Sequence, residues 1–379
     1  MTDDRDGTTA GGSADTTIDD PPDPATDDSP DPATDDPHST AVADPLEGTT
    51  ADPPTPTAET PIPLVIDTDT ASDDAVAVAF AALSDRVDLQ AVTVVAGNAP
   101  FDAQLRNAAY TLSLVGADDV PLAAGARRPL VKSWEHATEV HGPSGFGGEL
   151  DPDVTPTTTG EYGPETICRL AREHDGELGL LAIGPLTNVA EALRRDPELA
   201  DNLAGVWVMG GAVHCEGNVT PAAEYNVWVD PDAAQLVTRE LPVTLVDWGL
   251  TCRDGVLDTA AFDRIASFDT ELASFLTAVT ARAREWSRER GDGGAVGQPD
   301  CLAAAVAASP ELVESSVAAH VAVDAREGVT RGHTVVDTDP DTSERINARV
   351  VTAVDAAAFR ERLFGLAAEG DPDSRVGVE

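Results

Sequence analysis

The chain has 379 residues, 41% of them hydrophobic, enough to bury a full core in one large domain or two ordinary ones. It carries 68 acidic against 24 basic side chains, a formal net charge of -44, which excludes a nucleic-acid-binding surface because polyphosphate partners need Lys and Arg patches. Lys132 is the only lysine, and a fold this acidic repels itself unless ions screen it, a usage expected of a protein kept soluble at very high salt.

Residues 1–60 are rich in Asp, Thr, Pro, Ala and Gly and repeat Pro-Asp-Pro-Ala-Thr-Asp-Asp at 22–28 and 30–36. Such a segment has too little apolar surface to offset its ordering entropy, so a disordered acidic tail is expected. From residue 61 onward, short apolar runs alternate with helical patterns. Strands are predicted over 64–67, 89–95, 120–123, 178–183, 204–209 and 243–247, with helices over 75–83, 101–114, 164–173, 188–194 and 231–240. This alternation predicts an α/β domain over 61–370, an open, mainly parallel sheet with helices on both faces.

Beyond residue 250 the pattern turns helical, over 261–267, 271–290 and 301–308. Strands over 320–323, 334–337 and 348–354 are expected to complete the sheet or to form a small annex, and 371–379 reads as a short acidic tail. No stretch is long and apolar enough for a membrane span, and the first residues lack a basic region followed by an apolar one, so a cytoplasmic location is expected. Cys168, Cys215, Cys252 and Cys301 show no paired spacing, which argues against a disulfide framework or a zinc site.

The densest chemistry lies at the first strand's end, where Asp67, Asp69, Asp73 and Asp74 surround one turn. Side chains at i and i+2 share a face of a strand, so Asp67 and Asp69 can point together. Asp73 and Asp74 fall in the first turn of the following helix, whose free N–H groups tolerate negative charge. Four acids this close repel one another unless a cation neutralises them, and oxygen-only ligands suit calcium or magnesium better than zinc. Parallel sheets bind ligands beyond the carboxyl ends of their strands. Gly97-Asn98, Gly184-Pro185-Leu186-Thr187-Asn188 and Met209-Gly210-Gly211 all fall there.

These motifs, with Gly217-Asn218 and Glu224-Tyr225-Asn226, stand in an order that resembles the inosine–uridine preferring nucleoside hydrolases, from about residue 61 to about residue 366. The resemblance implies hydrolysis of the N-glycosidic bond of ribonucleosides to free base and ribose, and a homo-oligomer, dimer or tetramer. It implies a calcium ion held by Asp69, Asp74, Asp300 and the backbone carbonyl of Ile183, with Asp69 the general base and Asp67 in support. Asp73, Asn98 and Asn226 are expected on the ribose hydroxyls, Asn218 and Glu224 on the far hydroxyl of the sugar, and Met209 against the ring. His141, in a glycine-rich loop, is expected to line the pocket. On its residues alone, Asn188 reads as a turn or helix-start residue.

One departure stands out: many relatives have a His before the late aspartate, a candidate acid for the departing base, where this chain has Pro299. Trp248, Trp286, Arg288 and His141 are the stand-ins by residue type. Two other readings compete. A calcium-dependent nucleoside or ribose binder would keep the site and lose turnover. A phosphotransferase using Asp67 would need cationic phosphate stabilisation, which a chain with Ala71 and a single lysine does not offer.

Overall fold

The computed structural model describes residues 54–147, 150, 152–339, 342 and 344–373. The acidic tail expected over 1–60 lies outside the described residues up to position 53, as does the C-terminal one beyond 373. The described residues form eleven strands: β1 (Ile62–Thr68), β2 (Val87–Val94), β3 (Leu122–Ala124), β4 (Leu178–Ala182), β5 (Leu203–Met209), β6 (Val243–Val246), β7 (Val256–Leu257), β8 (Val296–Gly297), β9 (Val313–Val323), β10 (Thr334–Asp337) and β11 (Ala348–Val354). Nine of them form one sheet in the order β10-β9-β11-β6-β5-β4-β1-β2-β3, while β7 and β8 pair separately.

The sheet is parallel from β11 through to β3, and β9 runs antiparallel to both β11 and β10. The C-terminal strands therefore complete the main sheet. β1 is central and buried on both faces: Leu64, Val65 and Ile66 have no exposed surface. Leu64 and Ile66 enter one apolar cluster and Val65 the other, as the two-residue period of a strand demands. The chain leaves β1 toward β2 on one side and later returns to β4 on the other, so the sheet order reverses between β1 and β4. A crevice opens at such a reversal, beyond the strand ends.

Two helices close the crevice from behind. Ser72–Leu83 and Pro299–Ala308 are built almost wholly of small apolar residues, are buried nearly all round and pack on each other. Their N-termini meet, and both carry acids in the first turn: Asp73 and Asp74 on one, Asp300 on the other.

The helix predicted over 271–290 is two, Glu271–Val279 and Ala281–Arg290. The break falls at Thr280, whose hydroxyl donates back to the Leu276 carbonyl at 2.7 Å and competes with the helical backbone bond. A final helix, Ala356–Glu369, starts on an Asp355 cap and stops at Gly370 with φ +69. Among the described residues no helix is long and apolar enough to cross a membrane.

Candidate active site

The carboxylates at and beyond the end of β1 are held by backbone, hydroxyl and amide groups from several strand ends. Asp67 Oδ1 accepts from the Thr93 hydroxyl and from Asn188 Nδ2 at 2.7 Å. Asn188 also accepts the Ala126 N–H at 2.8 Å and donates to the Val94 carbonyl at 3.3 Å. It is thus a buried brace between strand ends, a role its position in a helix start did not signal. Asp69 Oδ2 accepts the Asn98 N–H at 2.7 Å. Position 97 must be Gly for this, because a Cβ there would lie 1.9 Å from Asp69 Oδ2. Asp74 closes its own helix, accepting the Thr68 hydroxyl at 2.6 Å and the Ala71 N–H at 2.9 Å.

Asp73, Asp74 and Asp300 each place an oxygen so that the three lie within 4.8 Å of one another. Asp69, expected among the metal ligands, lies against Asp74. Burial and mutual repulsion push these groups far from their ordinary acidity. Burial first, with opposing hydrogen bonds, raises Asp67 to about 7 and Asp73 to about 6, and burial followed by the Asp73 charge raises Asp74 to about 6. Asp69 and Asp300 stand well above the usual carboxylate range, through burial and then the neighbouring aspartates.

Asp67 Oδ2, Asp69 Oδ1 and Asp73 Oδ1 are buried without a hydrogen-bond partner among the described residues. Buried carboxylate oxygens of this kind are costly unless a cation or donor meets them, so the donor set fits a hard metal ion. The Ile183 carbonyl accepts Asn226 Nδ2 at 2.9 Å and keeps a second lone pair.

A cavity of about 1110 Å³ opens in front of the cluster. Of the residues expected at the site, Asp73, Asn98, His141, Ile183, Met209, Asn218, Glu224, Asn226 and Asp300 line it, while Asp67, Asp69 and Asp74 lie fully buried behind. Glu224 caps the helix Tyr225–Val229, accepting the N–H groups of Asn226, Gly211 and Val227 at 2.8, 2.9 and 3.2 Å. Burial still pushes its carboxyl up to about 7. Asn218 Oδ1 accepts the Tyr225 N–H at 2.8 Å. His141 Nδ1 meets the Ser72 hydroxyl at 2.7 Å and stands 3.6 Å from Asp73, and burial lowers its pKa to about 4, so the ring is neutral.

Trp248, Trp286 and Pro299 also face the cavity. Arg288 does not: it is exposed, and Arg290, stacked over Trp286 at 4.5 Å, lines the cavity instead. Tyr225, from the Glu224-Tyr225-Asn226 motif, lines the cavity too, as do Glu135, His136 and Trp228, which nothing in the sequence separates from ordinary loop and helix residues.

Comparison with known proteins agrees with this architecture. The family model described as inosine-uridine preferring nucleoside hydrolase matches residues 64–361. The chain is 34% identical over 309 residues to the pyrimidine-specific ribonucleoside hydrolase RihA of Enterobacter sp. (strain 638), covering 80% of this chain and 96% of that protein. A plant nucleoside hydrolase, PpNRh1, superposes with a TM-score of 0.75 at 28% identity, covering 82% of this chain and 98% of its own. The purine-preferring ribonucleoside hydrolase from Gardnerella vaginalis superposes with a TM-score of 0.75 at 30% identity, covering 81% and 99%. The chain belongs to the inosine-uridine preferring nucleoside hydrolase family, enzymes that cleave N-glycosyl bonds.

Proposed function

We propose that this enzyme, with calcium bound, hydrolyses the N-glycosidic bond of ribonucleosides to free base and ribose. The observation that carries this reading is the set of buried carboxylate oxygens without partners, placed behind and beside a cavity that accommodates a nucleoside. Asp69, Asp74, Asp300 and the Ile183 carbonyl would hold the ion, with Asp73 beside them. When bound, calcium supplies positive charge that draws the vicinal ribose hydroxyls and acidifies water.

The protein's own groups do the rest. Bond cleavage makes the ribose oxocarbenium-like, so carboxylates beneath the ring favour the transition state over the ground state. Asp69 takes a proton from the attacking water on Oδ1, and the Asn98 N–H holds Oδ2 so that Oδ1 is aimed. Asp67, fixed by Asn188 and Thr93, supports the carboxylate cluster. Asp73, Asn98 and Asn226 bind the ribose hydroxyls, Asn218 and Glu224 the far hydroxyl, Met209 packs on the ring, and His141 lines the pocket.

The charge balance supports a protein that works at high salt, where screening suppresses self-repulsion. In this reading residues 61–370 form one catalytic domain between acidic tails, in a cytoplasmic dimer or tetramer. The test is incubation in molar salt with calcium and a panel of purine and pyrimidine ribonucleosides, scoring free ribose. Release that stops on chelation is the expected result. Saturable binding without release would favour the calcium-dependent binder, and cleavage of phosphate esters alone would favour the phosphotransferase.

A further inference from the structure

Cleavage of an N-glycosidic bond leaves its electron pair on the base, which departs readily only when a proton or a strong hydrogen bond meets it. Several donors at the cavity are already committed, and the indoles of Trp248 and Trp286, which also face it, can donate a hydrogen bond but do not release a proton. The Tyr225 hydroxyl donates to the Glu135 carbonyl at 2.9 Å and the Asn226 amide to the carbonyls of Ile183 and Met209, while the indole of Trp134, next in the chain to the cavity-lining Glu135, donates to the Gly97 carbonyl at 3.1 Å. Arg290 is stacked over Trp286, and a guanidinium does not release its proton. His141 is engaged by Ser72 and sits beside Asp73, on the carboxylate side of the cavity.

We propose that His136 protonates the departing base from Nε2. Its Nδ1 lies 2.8 Å from the Gly97 carbonyl oxygen. A carbonyl only accepts, so Nδ1 carries a hydrogen in both protonation states and the dissociable proton belongs to Nε2. His136 lines the cavity, and its Nε2 has no protein partner among the described residues.

The ring is placed by more than one bond. Trp134 meets it edge-on, with centroids 5.7 Å apart and an 88° interplanar angle, and the Ala137 N–H donates to the Asn98 carbonyl at 2.9 Å. The strip 134–137 is therefore pinned to the same Gly97-Asn98 turn that holds Asp69. Glu135, Glu139 and His141 are the other titratable groups on that wall.

The step balances without any co-reactant beyond water. The Nε2 proton passes to a nitrogen or oxygen of the base as the bond from the anomeric carbon breaks and its electron pair moves onto the base. Water's oxygen bonds the anomeric carbon and its proton goes to Asp69; solvent then reloads His136 and unloads Asp69.

This assignment rests on the hydrolase reading above, and the test keeps the two apart. Wild type and His136→Asn, which retains a donor for the Gly97 carbonyl but has no dissociable proton, are compared on a natural ribonucleoside and on 4-nitrophenyl β-ribofuranoside. The nitrophenolate leaves as a stable anion and needs no proton. The expected result is a kcat loss of about 100-fold on the ribonucleoside and under about threefold on the nitrophenyl riboside. His136→Gln, run alongside, guards against a local folding defect in one variant. Equal losses on both substrates, or no loss on either, overturn the His136 assignment and leave the hydrolase reading standing. A wild-type protein that releases ribose from neither substrate overturns both.

Discussion

Substituting Gly97 by Ala puts one methyl group where the structure has no room for it. The new Cβ would lie 1.9 Å from Asp69 Oδ2, 2.6 Å from its Cγ and 2.8 Å from its Cβ. Ordinary contacts begin near 3.5 Å, so a gap of roughly 1.5 Å must open. Neither side yields easily. Asp69 is held through its carboxylate by Asn98 and through its carbonyl by Gln104. The strand leading to Gly97 is tied by Val95 to the Thr68 carbonyl at 2.9 Å and by Ala96 to the Ala126 carbonyl at 2.8 Å. Overpacking of this kind costs about 1–3 kcal/mol, and losing the Asn98 bond to a carboxylate adds about 1.5–3 kcal/mol. A shift of about 1 Å in the general base lowers kcat by about 100-fold. Thermal melts and ribose release at saturating substrate and calcium measure both effects. A folded G97A variant with kcat within about threefold of wild type and an unchanged melting temperature refutes the placement of Asp69 in the chemistry.

Other consequences are equally direct. Asp300→Asn should weaken calcium binding more than about 10-fold by calorimetry, while raising the melting temperature of the metal-free protein, because it removes one charge from a buried cluster that includes Asp73 and Asp74. Chelation in molar salt should lower the wild-type melting temperature, and calcium at about 100 times its Kd should restore about 2.7 kcal/mol. Glu224 binds a proton in the folded state up to about pH 7, against 4.5 in the unfolded chain, so its contribution is fully present below 4.5 and lost as pH rises through 7. The lost stability is about 3 kcal/mol, and Glu224→Gln should flatten that part of the denaturation profile between those pH values. The wild-type melting temperature should rise as salt is raised toward molar concentration; a flat response would contradict the salt-adapted reading.

Much of the fold was legible because local pattern and tertiary burial agree. The apolar run of β1 is buried on both faces of the sheet, and the helix predicted over 101–114 is observed as Phe101–Leu114. β9 was harder: only its end at 320–323 was predicted, because Glu314, Ser315 and Ser316 interrupt the apolar pattern, although the strand starts at Val313. The break at Thr280 was hidden for a different reason, since a hydroxyl bonding back one turn leaves no trace in hydrophobic periodicity.

The sequence alone determined the alternation of strands and helices and the clustering of acids after β1, because both depend on neighbours along the chain. It also carried the ordered motifs that mark the family. What only the tertiary structure decided is which distant groups meet. Asp300 was expected beside Asp74 only through the family resemblance, and the physical reason it reaches Asp73 and Asp74 is that two small-residue helices pack with their N-termini together. Asn188 braces Asp67, and His136 reaches the cavity through a carbonyl on another loop. Such meetings follow from packing and hydrogen bonds between segments far apart in the chain, and no local pattern records them.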